Sequence, residues 1–499
     1  MDSSSPLRAR LLADLGAPEG DRAPVDTFLA ADDAGEALRA WFGDEFLSAN
    51  RDAGRLRRML DRDIAEIDDV LTACCNRILH HPKFLALEAA WRGVFWLTGS
   101  LSADGQTRLR LLDCRWAELA RDLERAADFD QSALFDMIYN QEFGMPGGIP
   151  YALLIGLYEI QHRPTRDRPT DDVAVLRRMS AVAAAAFSPV LFGVRPTMVG
   201  AETFGDLERR ASLAATFRGA EYGRFNSFRA LSDSRFIGLV CPRVLLRAPY
   251  RGREVGDCGF QFAETIDEAG ADQVWGVGSL AMAHICLRAF NDYRWLASIR
   301  GTVQDELAGG VIIDLPTPDF ETDAPRMLLK FPLEVNLTEA LERDLSDAGF
   351  ICIRRCKDTP FASVSNLPSA HRPKGAYVTE VARINEQLGA MLNYVLCVAR
   401  FAHYIKVMAR DWVGSYKTAE ECETRLSGWI SKYCSIGDDM SYELRARYPL
   451  ESARVRVQAV VGQPGSFECT VHLKPHLQLD QAISEFQLVT VVQGVERQL

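Results

Sequence analysis

Histidines and cysteines are the side chains in this sequence best suited to metal or nucleophilic chemistry. His80 and His81 are adjacent, and adjacent side chains on a helix point about 100° apart, which is poor geometry for sharing one metal ion. His403 falls within a long helical pattern, so we interpret it as a packed or interfacial residue rather than a general base. The twelve cysteines include no CxxC pair, which indicates buried thiols rather than a metal site.

Short motifs that hold nucleotides or build active sites are absent from the sequence. It contains no GxxxxGK[ST], GxSxG or HExxH, and Gly276-Val277-Gly278 lacks the third glycine of a dinucleotide fingerprint. Asp438 and Asp439 form a vicinal acidic pair, which fits either a solvated loop end or a lone cation site. The sequence therefore predicts no catalytic residue, no metal ligand and no cofactor.

The composition is that of a folded protein with no preference for polyanions. The chain has 499 residues, enough for two or three domains, and 47% of them are hydrophobic. Its net charge of −11 argues against nucleic acid and anionic membranes as partners. Because no run of about 18 apolar residues and no secretory signal is present, we predict a cytoplasmic protein without membrane insertion.

The element around which the chain is organised is a helix predicted within residues 78–97. Phe84, Leu87, Trp91 and Val94 recur at steps of three and four residues, which gives one apolar stripe, and Pro82 suits a first helical turn. The neighbouring aromatic residues 95 and 96 widen the stripe, which suggests a helix contacted on more than one side. Residues 37–71 repeat the same helical pattern.

A second, shorter apolar patch lies near the start of the chain. Four leucines share one helical face: Leu7, Leu11, Leu12 and Leu15. A helix of seven or eight residues is not stable alone in water, so this patch must dock on its own domain or on a partner.

The middle of the chain alternates between predicted strands and helices. Strand-like segments cover residues 107–112, 151–160 and 349–355, residues 233–247 are typical of a strand followed by a loop, and helical segments lie between them. This alternation predicts a mixed, layered α/β fold. A single helix is predicted from Thr379 to Asp411 and another from Ala419 to Tyr433.

The last forty-five residues predict three strands, the first two joined as a hairpin. Apolar residues alternate with polar ones along each strand, so one face is apolar: Val455, Val457, Phe467, Val471, Phe486 and Leu488. A small sheet of this kind leaves open edges, and open edges pair with other chains. We therefore predict strand sharing between subunits here, with a self-contained sheet as the alternative.

Several collinear blocks resemble the large subunit of the type VI secretion contractile sheath, the TssC/VipB/ImpC/EvpB family. They include HHPKFLALEAAWRG (80–93), FDQSALF (129–135), GGIPY (147–151), DSRF (233–236), FETD (320–323), LSDAGF (345–350), RFAHY (400–404) and KPH (474–476). The resemblance implies a sheath-type α/β fold. Its expected regions are an N-terminal arm (1–36), a helical region (37–77), an α/β core (78–370) and a C-terminal domain (376–499).

The resemblance also implies a structural role rather than an enzymatic one. The family's large subunit pairs with a small sheath subunit of the TssB/VipA type and polymerises around an inner tube protein of the Hcp type. The sheath starts from a baseplate, and an AAA+ ATPase of the ClpV type disassembles it after contraction. In that setting the leucine patch becomes a candidate for ATPase recognition. The alternatives are an enzyme with an unrecognised site and a non-contractile shell or baseplate component.

Overall fold

The computed structural model describes residues 28, 30–42, 52–250, 259–260, 262–267, 270–303, 306–317, 331–357, 359–373, 379–412, 418–435, 440–460, 466–476 and 486–492. The chain separates into two compact units: Met1–Leu87 with Pro249–Gln273, and Glu88–Ala248 with Val274–Leu499. The division into four regions that the sequence suggests stays a prediction.

The first unit is built mainly from helices that bury few side chains. Helix α1 spans Ala34–Phe42 and α2 spans Ala53–Leu79. Asp52 caps α2 by accepting hydrogen bonds from two backbone N–H groups of the first turn, and Trp41 Nε1 joins the two helices by donating to Asp63 Oδ2 at 3.0 Å. In these two helices only Phe42 and Asp63 are buried, so the described residues of this unit form little apolar core.

The second unit is organised around a six-stranded sheet with strand order β1-β2-β3-β7-β8-β6. The first four strands in this order run parallel to one another. Strand β8 pairs antiparallel with β7 on one side and with β6 on the other. A separate antiparallel pair is formed by β4 and β5. The bounds are β1 Leu154–Ile160, β2 Val190–Val194, β3 Ile237–Cys241, β4 Val244–Arg247, β5 Val274–Gly276, β6 Val311–Ile312, β7 Phe350–Arg355 and β8 Ala362–Val364.

Helices cover both faces of this sheet. They are α4 Trp116–Arg125, α5 Asp172–Ala185, α6 Gly223–Arg229, α7 Gly278–Tyr293 and α8 Glu339–Asp347. Helix α3, Pro82–Gly99, packs through its C-terminal half on α7. Consecutive residues of one strand enter different cores: Phe192 packs in the first cluster, and Leu191 packs in the second. A strand covered on both sides reads as a continuous apolar run, as these strands do. The mixed α/β class predicted from the sequence is confirmed.

The C-terminal part combines helices with the three predicted strands. The helices are α9 Glu380–Gly389, α10 Leu392–Asp411, α11 Ala419–Ile430 and α12 Tyr442–Arg447, and the strands are β9 Leu450–Ala459, β10 Phe467–Pro475 and β11 Phe486–Val492. The strands form an antiparallel sheet of order β11-β10-β9.

Two elements differ from the sequence prediction. Residues 107–112 form no strand: among the described residues β1 is the edge of its sheet, and Leu111 and Leu112 are exposed. The helix predicted from Thr379 to Asp411 is broken near residue 390. There the backbone pairs with another segment: Leu392 N–H donates to Leu367 O at 2.7 Å, and Ser369 N–H donates to Ala390 O at 2.8 Å.

Candidate assembly interface

The six strand residues predicted for the interface lie on one face of the C-terminal sheet. Val471 on the central strand β10 lies opposite Val455 on one side and opposite Leu488 on the other. Phe486 pairs with Leu473, and Val457 pairs with Cys469. Directly opposite residues in a sheet share a face, so the alternation predicted from the sequence is present.

That face packs against the chain's own helices. Val471 is fully buried and Val457 is 8% exposed, and both belong to a core that includes Phe401 and Leu426. Val455 and Phe467 are half-buried against the same core. These four side chains therefore stabilise the chain's own fold, and strand sharing would have to use the backbone at the strand edges. The side chains of residues 486 and 488 lie outside the described part.

One edge of the sheet, along β9, is engaged by the chain itself. Val457 N–H points away from β10 and donates to Glu423 Oε2 of α11 at 2.9 Å. Near the start of β9, Leu450 O accepts a hydrogen bond from Ser435 N–H at 2.9 Å. A carboxylate that binds an edge N–H protects the strand from pairing with further chains. Sequence reasoning missed Glu423, because no local pattern links residue 423 to the strand.

The other edge, along β11, has no neighbouring strand among the described residues. Backbone N–H and C=O groups alternate in direction along a strand. Since the N–H of Val457 points away from β10, the register across the sheet shows which backbone groups of β11 also point outward. They are the N–H and C=O groups of Gln487, Val489 and Val491. Within the described part of the chain, the outward donors and acceptors of these three residues have no strand partner at the end of the sheet.

A second candidate surface is the apolar stripe of α3, which the structure leaves largely exposed. Trp91 is 62% exposed and Phe95 is 79% exposed. The helix instead packs through Gly93 and Leu97, since a Cβ atom on residue 93 would lie 2.4 Å from Leu280 Cδ1 of α7. An absent side chain carries no apolar signal, which is why the sequence did not predict this contact face.

The histidines considered for chemistry are held by other contacts. His403 is buried with Nε2 at 2.9 Å from Ala186 O, and burial lowers its pKa to about 4. His80 Nε2 lies 3.1 Å from Glu264 Oε1. No group of three or more metal-ligating side chains occurs in the part of the chain that the structure describes. Burial raises the pKa of Cys286 and of Cys397 to about 12, so both thiols stay protonated at neutral pH.

Two predicted features lie outside the described residues: the leucine patch (Leu7, Leu11, Leu12 and Leu15) and the acidic pair Asp438 and Asp439. Across the described ranges, no helix is both long enough and apolar enough to cross a membrane.

Comparison with known proteins first identifies the family to which this chain belongs. Residues 61–371 match the family model VipB, described as EvpB/VC_A0108, tail sheath N-terminal domain. Residues 381–492 match VipB_2, described as EvpB/VC_A0108, tail sheath gpW/gp25-like domain. The chain belongs to this tail sheath family.

The kind of secretion system to which this sheath family member belongs is indicated by a relative of known function. The chain is 34% identical over 437 residues to "Type VI secretion system sheath protein TssC1" of Pseudomonas aeruginosa strain PAO1, which covers 87% of this chain and 86% of the relative. The resemblance inferred from the sequence is therefore confirmed, and the chain is a structural subunit of a type VI secretion sheath.

Proposed function

We propose that this chain acts in the cytoplasm as the large subunit of a sheath heterodimer and performs no catalysis. In this proposal it pairs with a small sheath subunit of the TssB/VipA type, polymerises from a baseplate around an inner tube of the Hcp type, and drives that tube outward by contraction. Energy is stored in subunit packing, so the chain needs no active site.

The difference between the two edges of the C-terminal sheet is the observation that carries this proposal. The β9 edge is engaged by Glu423 and by Ser435, whereas the outward groups of β11 have no strand beside them in the described part of the chain. We infer that a neighbouring subunit adds a strand along β11. Each shared backbone hydrogen bond contributes about 0.5–1.5 kcal/mol net, and a strand linkage permits rotation without separation.

A pair of proline substitutions tests this inference. Val489→Pro removes an outward N–H of β11, and Ala453→Pro removes an outward N–H of β9, so both should spare the chain's own ladder. We expect Val489→Pro to abolish long sheaths on co-expression with the small subunit, and Ala453→Pro to leave them intact. Electron microscopy gives the readout, and circular dichroism checks that both variants fold.

Normal tubes from the Val489→Pro variant would show that β11 is not the shared edge. Truncation before Ser484 removes the strand altogether and gives an independent check: assembly should be lost while residues 40–370 keep their fold.

The exposed apolar side chains of α2 and α3 support a second part of the proposal, pairing with the small subunit. Ile64, Leu71 and Ile78 are exposed on α2, and Trp91 and Phe95 are exposed on α3. Exposed apolar patches of this kind mark protein–protein contacts. Expressed alone, the chain should aggregate or remain oligomeric, and the small subunit should rescue it. A stable monomer that needs no partner would contradict this pairing, and one that also bound a small ligand would favour the enzyme alternative.

The leucine patch supports a third part, recognition by a disassembly ATPase of the ClpV type. Changing both Leu11 and Leu12 to Asp should leave assembly intact and slow disassembly of contracted sheaths by the ATPase. Unchanged disassembly kinetics would instead mean that this patch docks on its own domain.

A further inference from the structure

A cavity of about 180 Å³ lies beside the C-terminal end of α8, away from the C-terminal sheet. Its polar lining comes from four separate segments of the second unit: Arg218, Asn226, Arg229, Asp344, Asp347 and Arg372. Three arginines converge here in a chain whose net charge is −11. This is an unusual place for positive charge to accumulate.

Arg229 is the central residue of the cavity. Its side chain is 5% exposed, and its guanidinium donates from Nε to Ala370 O at 3.1 Å and from Nη2 to Asp347 O at 2.7 Å. Asp347 is the last residue of α8, where a positive charge is favourable. A guanidinium has five N–H groups, and these two bonds leave donors for a ligand. No carboxylate in the described ranges forms an ion pair with it.

Gly349 has no side chain, and this makes room for the guanidinium of Arg229. It follows α8 in the left-handed conformation with φ of +85°, and its N–H donates to Ser346 O at 2.9 Å. A Cβ atom on residue 349 would lie 3.2 Å from Arg229 Nε and 3.1 Å from Ser369 O. The glycine of the LSDAGF block therefore both ends the helix and lets the buried guanidinium approach its last carbonyl.

The cavity lining carries three arginines against two aspartates, Asp344 and Asp347, so its formal charge is positive. Asp344 Oδ2 accepts hydrogen bonds from Ser212 Oγ at 2.6 Å and from Leu213 N–H at 2.7 Å, and these donors lower the pKa of Asp344. This carboxylate is therefore directed towards residues 212–213 rather than towards Arg229. The side chains of Arg218 and Arg372 are exposed at the mouth of the cavity. Burial, reinforced by Arg372 and partly offset by Asp347, lowers the pKa of Arg229 to about 10, so a bound anion would stabilise its charged form.

We propose that this cavity binds one oxyanion group, a carboxylate or a phosphate, with Arg229 at its base and Arg218 and Arg372 at its mouth. Arginine is suited to this role because its planar fork donates two parallel hydrogen bonds to such a group. The group can come from a dissolved anion or from an acidic side chain of a neighbouring subunit. Both sources present the same chemistry to the cavity.

Thermal unfolding of the full-length chain with inorganic phosphate tests the proposal. At matched ionic strength, phosphate should raise the Tm more than chloride does, because a ligand that binds only the folded state stabilises it. Arg218→Gln and Arg372→Gln should each weaken phosphate affinity by about tenfold, the loss expected for one charge-assisted hydrogen bond. Arg425→Gln, an exposed arginine outside the cavity, is the matched control and should bind phosphate normally.

A second measurement needs no variant. Phosphate should protect Arg218 and Arg372 from modification by phenylglyoxal, read by peptide mass spectrometry, and should leave Arg425 reactive. Equal Tm shifts in phosphate and chloride, or equal phosphate affinity in the Arg218→Gln and Arg425→Gln variants, would overturn the proposal.

Sheath assembly then separates the two sources of the anion. If phosphate at its binding concentration lowers the yield of wild-type sheaths, the natural occupant is an acidic side chain of a neighbour. If phosphate binds and the yield is unchanged, the occupant is a dissolved anion. The phosphate measurements do not depend on the proposed sheath pairing, so their failure and a failure of pairing are distinguishable.

Discussion

Helix α3 and the C-terminal sheet each carry an apolar face that the sequence predicts, but the structure uses the two faces in opposite ways. The apolar face of the sheet is covered by α10 and α11 of the same chain, with Val471 fully buried. The apolar stripe of α3 remains in solvent, with Phe95 79% exposed. Periodicity thus identifies an apolar face but does not tell which chain covers it.

The reason for this difference lies in a second contact face on α3. Trp96 stacks on His284 of α7 with ring centroids 4.5 Å apart, and Leu97 is buried beside it. Because this side already packs within the second unit, we infer that the exposed Trp91 side is the one a partner covers. A sheath subunit needs both kinds of face: one to fold and one to assemble.

The largest effect expected from this comparison comes from the same substitution made in both regions. Phe401 is fully buried and stacks on Trp295 with ring centroids 4.2 Å apart. Phe401→Ala should lower the free energy of unfolding by about 3–5 kcal/mol. Phe95→Ala should change it by less than about 0.5 kcal/mol, because that ring is in solvent, yet it should weaken small-subunit pairing. Denaturant titration of both variants gives the readout, and similar losses would refute the contrast.

Two glycines of α3 sharpen the comparison within one helix. Gly93→Ala puts a methyl group against Leu280 and should cost about 1–3 kcal/mol. Gly99→Ala meets no atom within 4 Å, so the better helix propensity of alanine should stabilise the chain by up to about 1 kcal/mol. In thermal unfolding, we therefore expect Gly93→Ala to lower the Tm and Gly99→Ala to raise it. A stabilising Gly93→Ala would mean that α3 and α7 pack less closely than described.

The smallest expected effect concerns pH in the region buried by the chain itself. His403 has a pKa of about 4 when folded, mainly because of burial, against 6.5 for an ordinary histidine. Unfolding therefore takes up a proton between these values, so stability falls as pH falls through that range. Between pH 7 and pH 5.5 the loss should be roughly 1 kcal/mol.

Two variants check this assignment by denaturant titration at both pH values. His403→Gln should remove this part of the pH dependence, and His81→Gln, at an exposed position, should retain it. Identical pH profiles for His403→Gln and the wild type would rule out His403 as the source.

Local apolar pattern was enough to predict the α/β class, the buried strands and the C-terminal sheet, because each follows from residues within one element. The family followed from collinear blocks along the chain. Contacts over long sequence distances were not predictable. Glu423 on the β9 edge and the break at residue 390 both depend on a partner segment that periodicity does not reveal. The face through which α3 packs on α7 carries no signal in the sequence for a related reason, since it depends on Gly93, which has no side chain.

The central claim, strand sharing along β11, is tested most directly by residue-resolved hydrogen–deuterium exchange on the heterodimer and on the assembled sheath. In the heterodimer, the outward amides of Gln487, Val489 and Val491 should exchange faster than those of Leu488 and Thr490, which face β10. In the sheath, the three outward amides should become protected while the inward ones change little. Outward amides that exchange equally fast in both states would contradict the account.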